Sequence, residues 1–119
     1  MKLVCIVGLG GALGAILRYL LGNIVGYNSL QSFPWVTLGI NILGSFILGI
    51  VACYYPTNSA MYTFLGVGIC GGFTTFSTFS NQTFTLFINQ QYFLTFAYIA
   101  ASISFGCLAF FLGFQANKI

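Results

Sequence analysis

The run Gly71-Gly72-Phe73-Thr74-Thr75-Phe76-Ser77-Thr78-Phe79-Ser80 lies in the middle of an apolar segment long enough to cross a membrane. A crossing with no other duty is built of Leu, Ile, Val and Ala. This run opens on two glycines and is crowded with hydroxyls. Glycine lowers helix propensity, and Ser and Thr offer the backbone competing hydrogen bonds. At membrane depth a broken backbone is tolerated only where protein or a polar cavity covers it. Two readings follow. The run is a helix break lining a functional site, or it is a packing seam of small residues and hydroxyl glue.

The rest of the chain supports a membrane setting. Of 119 residues, 59% are hydrophobic and 3% charged, and the mean hydropathy is +1.00. A soluble domain of this composition would have little with which to meet water. Each crossing of a bilayer core of about 30 Å takes about 20 helical residues. Four crossings are expected, at about 3–25, 35–54, 60–88 (with a break near 71–76) and 92–114, in a single transmembrane domain. Lys2 before an apolar run is also a signal-peptide feature, but no hydrophilic part follows, so the run is read as the first crossing.

The charges are Lys2, Arg18 and Lys118, and the chain has no Asp, Glu or His. General acid–base chemistry therefore lacks its usual groups, and no enzyme activity is expected. A proton relay of carboxylates or imidazoles is missing too. The fixed side-chain charge is purely positive and favours anions. Cys5, Cys53, Cys70 and Cys107 fall one to each apolar segment without metal-like spacing, and read as small buried hydrophobes. No organic cofactor and no nucleic-acid partner are expected.

Within the first segment, Gly10 and Gly14, and Gly22 and Gly26, have the spacing of close helix approach. Arg18 lies about two turns from that segment's end. A charge at the bilayer centre costs about 2.5–3.5 kcal/mol on insertion scales and less near the interface. Arg18 either snorkels to the headgroups or lends positive charge to an aqueous vestibule. The stretch from Tyr27 to Pro34 reads as a loop, with Pro34 suited to the next helix's first turn and Trp35 to an interfacial belt. Thr37, Asn41, Gly44 and Ser45 then share one helix face. Asn41 stands out, because a primary amide near mid-membrane needs partners. It is either interhelical glue or a donor lining a pore. Phe73, Phe76 and Phe79 recur every third residue, a packing stripe or a set of rings whose positive edges contact a small anion. Tyr98, Ser102 and Gly106 form a small or polar stripe on the last segment, extended by Thr95. The loops are uncharged, so the positive-inside bias is feeble and both orientations are physically open.

Three blocks carry a family resemblance. They are Gly10-Gly11-Ala12-Leu13-Gly14-Ala15 leading to Arg18-Tyr19, Thr37-Leu38-Gly39-Ile40-Asn41-Ile42-Leu43-Gly44-Ser45-Phe46, and Gly71 to Phe79. In order and spacing the chain resembles the Fluc (CrcB) family of fluoride channels over essentially its whole length. The resemblance implies an antiparallel, dual-topology homodimer in the plasma (inner) membrane, with two fluoride pathways. It implies a structural Na⁺ at the dimer centre, held by backbone carbonyls that by motif position are those of Gly71 and Thr74. It implies pores lined by Asn41, Phe76, Phe79, Tyr98 and Ser102, with Arg18 near the vestibule. Thr37 is added as a further hydroxyl on the Asn41 face. Gly106 departs from the pattern, since some relatives carry a further hydroxyl there.

The expected function is passive, fluoride-selective export of toxic intracellular F⁻. Two rivals remain open at this stage. One is a small transporter, exchanging fluoride for protons or exporting drugs, although this chain has no carboxylate to couple protons. The other is a non-transporting subunit, or one that works beside a related chain as a heterodimer.

Overall fold

The computed structural model describes residues 1–26 and 32–118; the loop expected from Tyr27 to Pro34 lies largely outside them. Every regular element is helical. Helix α1 spans Lys2–Val25 and α2 spans Trp35–Tyr54. A third rod, 60–73, begins as α3 (Ala60–Tyr62), widens into a π-helix at Thr63–Cys70, and tightens again into α4 (Gly71–Phe73). After the break come α5 (Phe76–Ile88) and α6 (Tyr92–Phe114), the latter followed by a 3-10 turn at Gln115–Lys118. Helices α1, α2 and α6 are each long and apolar enough to cross a membrane. The rod and α5 are each shorter than the roughly 20 residues a crossing needs, and together they form the fourth helical unit. The long dimension of the molecule, 46 Å, matches a bilayer of about 40–45 Å including its headgroups.

Glycines decide which helices touch. A Cβ on Gly10 would lie 2.6 Å from the Phe64 carbonyl oxygen, and one on Gly14 would collide with the Ile69 carbonyl. From the rod's side, a Cβ on Gly68 would sit 2.9 Å from Gly10 Cα, and one on Gly72 would collide with the Gly11 carbonyl. Helix α1 therefore packs backbone-to-backbone on the rod. On the other flank, a Cβ on Gly49 would strike the Phe110 carbonyl, and one on Gly113 the Phe46 carbonyl, which fixes α2 against α6. Lipid is as apolar as Leu, so close van der Waals approach of this kind is what associates helices in a membrane. Of the second expected pair, Gly22 is buried, and Gly26 ends α1 with φ +83°, where an added Cβ would meet nothing within 4 Å among the described residues.

Caps follow the short polar stretches. Ser59 Oγ accepts the Tyr62 N–H at 3.1 Å and starts the rod. Pro34 stands one residue before α2 rather than inside its first turn, and Trp35 is exposed, as an interfacial residue should be. The core is small: Leu38, Leu86 and Tyr98, with Phe33, Ile42, Phe79, Leu94 and Ala101 packed on it. Most remaining large apolar side chains face outward, as expected where the solvent is lipid.

Candidate functional site

The third rod ends because two residues leave the helix. Thr74 (φ −79°, ψ 158°) and Thr75 (φ −146°, ψ 119°) are extended. The break therefore falls two residues beyond the glycine pair, and Gly71 and Gly72 stay helical. Capping chemistry places it there. Thr75 Oγ1 accepts the Thr78 N–H at 3.1 Å and so starts α5. Thr74 Oγ1 donates to the Cys70 carbonyl at 2.9 Å and closes the rod. Gly72 serves the α1 contact instead.

A break leaves carbonyls without helical partners. Two side chains reach into it from opposite sides. Arg18 Nε donates to the Gly72 carbonyl at 3.2 Å. Asn41 Nδ2 donates to the Thr75 carbonyl at 3.0 Å, while Asn41 Oδ1 accepts the Thr75 N–H at 2.7 Å. Among the described residues, the Gly71 and Thr74 carbonyls receive no backbone N–H.

Beside the break is a cavity of about 330 Å³, open along one flank of the chain. Helix α2 contributes Asn41, Gly44, Ser45 and Leu48 to its wall, and the rod contributes Gly66, Cys70 and Gly71. Thr74 and Thr75 come from the break, Phe76 and Phe79 from α5, and Ser102, Ile103 and Gly106 from α6. Asn41, Gly71, Thr74, Phe76, Phe79 and Ser102 are thus brought to one place. The Ser102 Oγ is buried and has no hydrogen-bond partner among the described residues. The Phe76 and Phe79 ring centroids are 5.6 Å apart. The two rings also border a second, more apolar groove of about 620 Å³ between α5 and α6.

Three residues named from the sequence do not line this cavity: Tyr98 and Thr37, expected along the path, and Arg18, expected only near a vestibule. Tyr98 is fully buried; its hydroxyl donates to Gln82 Oε1 at 2.9 Å, and its ring packs 5.1 Å from Phe79 and 5.5 Å from Phe33. Thr37 is 1% exposed and sits beside Tyr98 without a hydrogen bond of ordinary geometry. Arg18 turns toward the rod and does not join the cavity wall. The phenylalanine stripe is also divided. Phe73 is buried in the rod and Phe76 is 78% exposed, because the chain changes course between them.

Sequence reasoning passed over Thr75 and Ser45, which line the cavity, and Gln82, which holds the Tyr98 hydroxyl beside it. Gln82 had a signal, a primary amide inside an apolar crossing, the argument applied to Asn41. Ser45 shares Asn41's face and stands near Gly106, where a Cβ would come within 3.9 Å of Ser45 Oγ. Among the described residues no cluster of His, Cys, Asp or Glu could hold a metal. A cation there would have to be held by neutral oxygens: backbone carbonyls, hydroxyls or side-chain amides.

Three long apolar helices, a fourth helical unit broken at Thr74 and Thr75, and a largely apolar cavity with a few polar groups at that break define an all-helical, multi-pass membrane protein. Over residues 5–114 the chain matches the family described as CrcB-like protein, Camphor Resistance (CrcB). It is 40% identical over 115 residues to the fluoride-specific ion channel FluC of Elusimicrobium minutum, covering 96% of this chain and 92% of that one. It is 44% identical over 110 residues to FluC of Leptospira interrogans, covering 86% and 84%. It is 39% identical over 121 residues to FluC of Phocaeicola vulgatus, covering 99% and 100%. The chain belongs to the CrcB (Fluc) family.

Proposed function

We propose that this protein is a fluoride-specific ion channel that passes F⁻ down its gradient through the cavity at the helix break. The observation that carries the reading is the make-up of that wall. It brings a buried Ser102 hydroxyl, without a hydrogen-bond partner among the described residues, and two phenyl rings together with no acidic group. Fluoride is small and strongly hydrated, so a path must replace its water. The Ser102 O–H donates one hydrogen bond. Asn41 Nδ2 keeps one N–H beyond the one given to Thr75. The rings of Phe76 and Phe79 offer positive edges. None of these carries a full charge, so the ion is contacted and released. Arg18, at the break but behind the wall, adds positive potential without a direct contact.

The functional unit in this proposal is an antiparallel dimer. The cavity is open on one flank, and Phe76 and Gly71 are exposed in the single chain. A second copy laid against that flank closes the path. The uncharged loops permit opposite orientations. A heterodimer with a related chain would meet the same need.

The carbonyls of Gly71 and Thr74 also fit a hard cation such as Na⁺. They are oxygen donors freed by the break and lie on the exposed flank. Gly71 and Thr74 of each chain would hold the ion, whose positive charge would offset the carbonyl oxygens left without backbone N–H donors by the break.

The test is current across a planar bilayer under a fluoride gradient. The channel reading expects discrete, passive fluoride currents that ignore an imposed pH gradient. A slow, saturating flux driven by protons would support a carrier instead. Silence from a folded dimer would support a structural subunit.

A further inference from the structure

Asn41 lines the cavity, which suits an ion contact, yet its hydrogen bonds point elsewhere. The amide oxygen accepts the Thr75 N–H at 2.7 Å, and the amide nitrogen donates to the Thr75 carbonyl at 3.0 Å. Both polar groups of one peptide-bearing residue are thereby satisfied by one side chain. Thr75 is in β-like conformation, and a primary amide pairing with both groups of an extended residue copies one rung of a sheet ladder. In a bilayer no water stands ready to replace these bonds, and each unsatisfied backbone group is costly.

We infer that Asn41 is a positioning residue: its amide clamps Thr75 extended and so fixes the direction in which the chain leaves the break. The clamp acts on both sides of Thr75. Before it lies Thr74, which lines the cavity and whose carbonyl receives no backbone N–H among the described residues. After it lies Phe76, whose ring forms part of the wall. The Thr75 hydroxyl starts α5 by accepting the Thr78 N–H. The side chain of Thr75 thus orients α5, and its backbone is oriented by Asn41. Gly44, one turn along α2, provides the room: a Cβ there would collide with Thr74 Cγ2. Asn41 and Gly44 together seat the extended pair on α2.

This assignment rests on the channel reading only for its flux arm. Its spectroscopic arm stands without that reading. The experiment is NMR of isotope-labelled protein in lipid nanodiscs, following the Thr75 amide proton and carbonyl carbon, with fluoride flux measured in parallel. Asn41→Ala should move both Thr75 signals upfield while those of Thr95, on α6, stay in place. Flux should fall about tenfold or more, the equivalent of about 1.4 kcal/mol. Unchanged Thr75 signals in this variant overturn the clamp, even where flux is lost. Should Asn41→Ala not fold, Asn41→Asp keeps the acceptor and, when ionised, lacks the donor. The Thr75 carbonyl signal should then move while its amide proton remains downfield. A carbonyl signal that does not move overturns the inference.

Discussion

Ser102 and Phe79 separate conduction from packing. The Ser102 hydroxyl is buried without a hydrogen-bond partner among the described residues, so its removal relieves an unsatisfied group. A hydrogen bond to a charged group is worth about 1.5–3 kcal/mol. Ser102→Ala should therefore cut fluoride flux by about tenfold or more while the melting temperature holds or rises. A parallel fall in stability and flux would assign the hydroxyl to packing. For Phe79, a branched aliphatic such as Ile keeps the apolar volume and removes the positive ring edge. Flux through Phe79→Ile in reconstituted vesicles should drop, and undiminished flux from a folded protein would count against the ring-edge contact. Asn41 and Ser102 were legible in the sequence because polar atoms inside an apolar segment need a reason. The burial of Tyr98 and Thr37 was not. Helical spacing says which residues share a face but not which neighbour covers it, and here Tyr98 is enclosed by Phe33, Phe79 and Gln82. Arg18 likewise showed its charge but not its destination, a carbonyl freed more than fifty positions along the chain.

The broken crossing was readable as an element, its geometry less so. Two glycines and a run of hydroxyls suggested a break, and both glycines turned out to be helical, Gly72 as a close contact with α1, while the hydroxyls set the ends. The reason is that glycine permits a break without requiring one, whereas a Thr that caps a helix fixes where it starts. Thr75→Ala removes that cap, which typically costs about 1 kcal/mol, and should lower the melting temperature while loosening the start of α5. Hydrogen exchange at Thr78 would show the loosening; protection at the wild-type level would contradict the capping role. The π-helix at Thr63–Cys70 left no mark in the sequence, because apolar residues on every side carry no periodicity from which to read the number of residues per turn. The seam between α1 and the rod gives a second test. A side chain on Gly14 must displace the Ile69 backbone, and overpacking of a close contact costs about 1–3 kcal/mol. Gly14→Leu should yield unstable or misassembled protein, seen as aggregation in size-exclusion chromatography; a normal elution profile would mean that the seam is looser than described.

For the molecule as a whole, the charge inventory governs what it can do. With no Asp, Glu or His, no side chain of the usual kind titrates between about pH 5 and 8, and protons have no relay to follow. Fluoride flux should be indifferent to a pH gradient across that range, a result that flux assays at matched and mismatched pH would check. If Gly71 and Thr74 hold Na⁺ between two chains, replacing Na⁺ with a bulky organic cation should weaken the dimer and reduce flux, whereas equal stability in both buffers would remove the cation from the account. The measurement that tests the channel itself is ion efflux from liposomes containing the purified protein, read with a fluoride electrode beside a chloride-loaded control. Rapid, passive release of F⁻ with negligible release of Cl⁻ is the predicted result. Equal release of both anions, or none from folded protein, would contradict it.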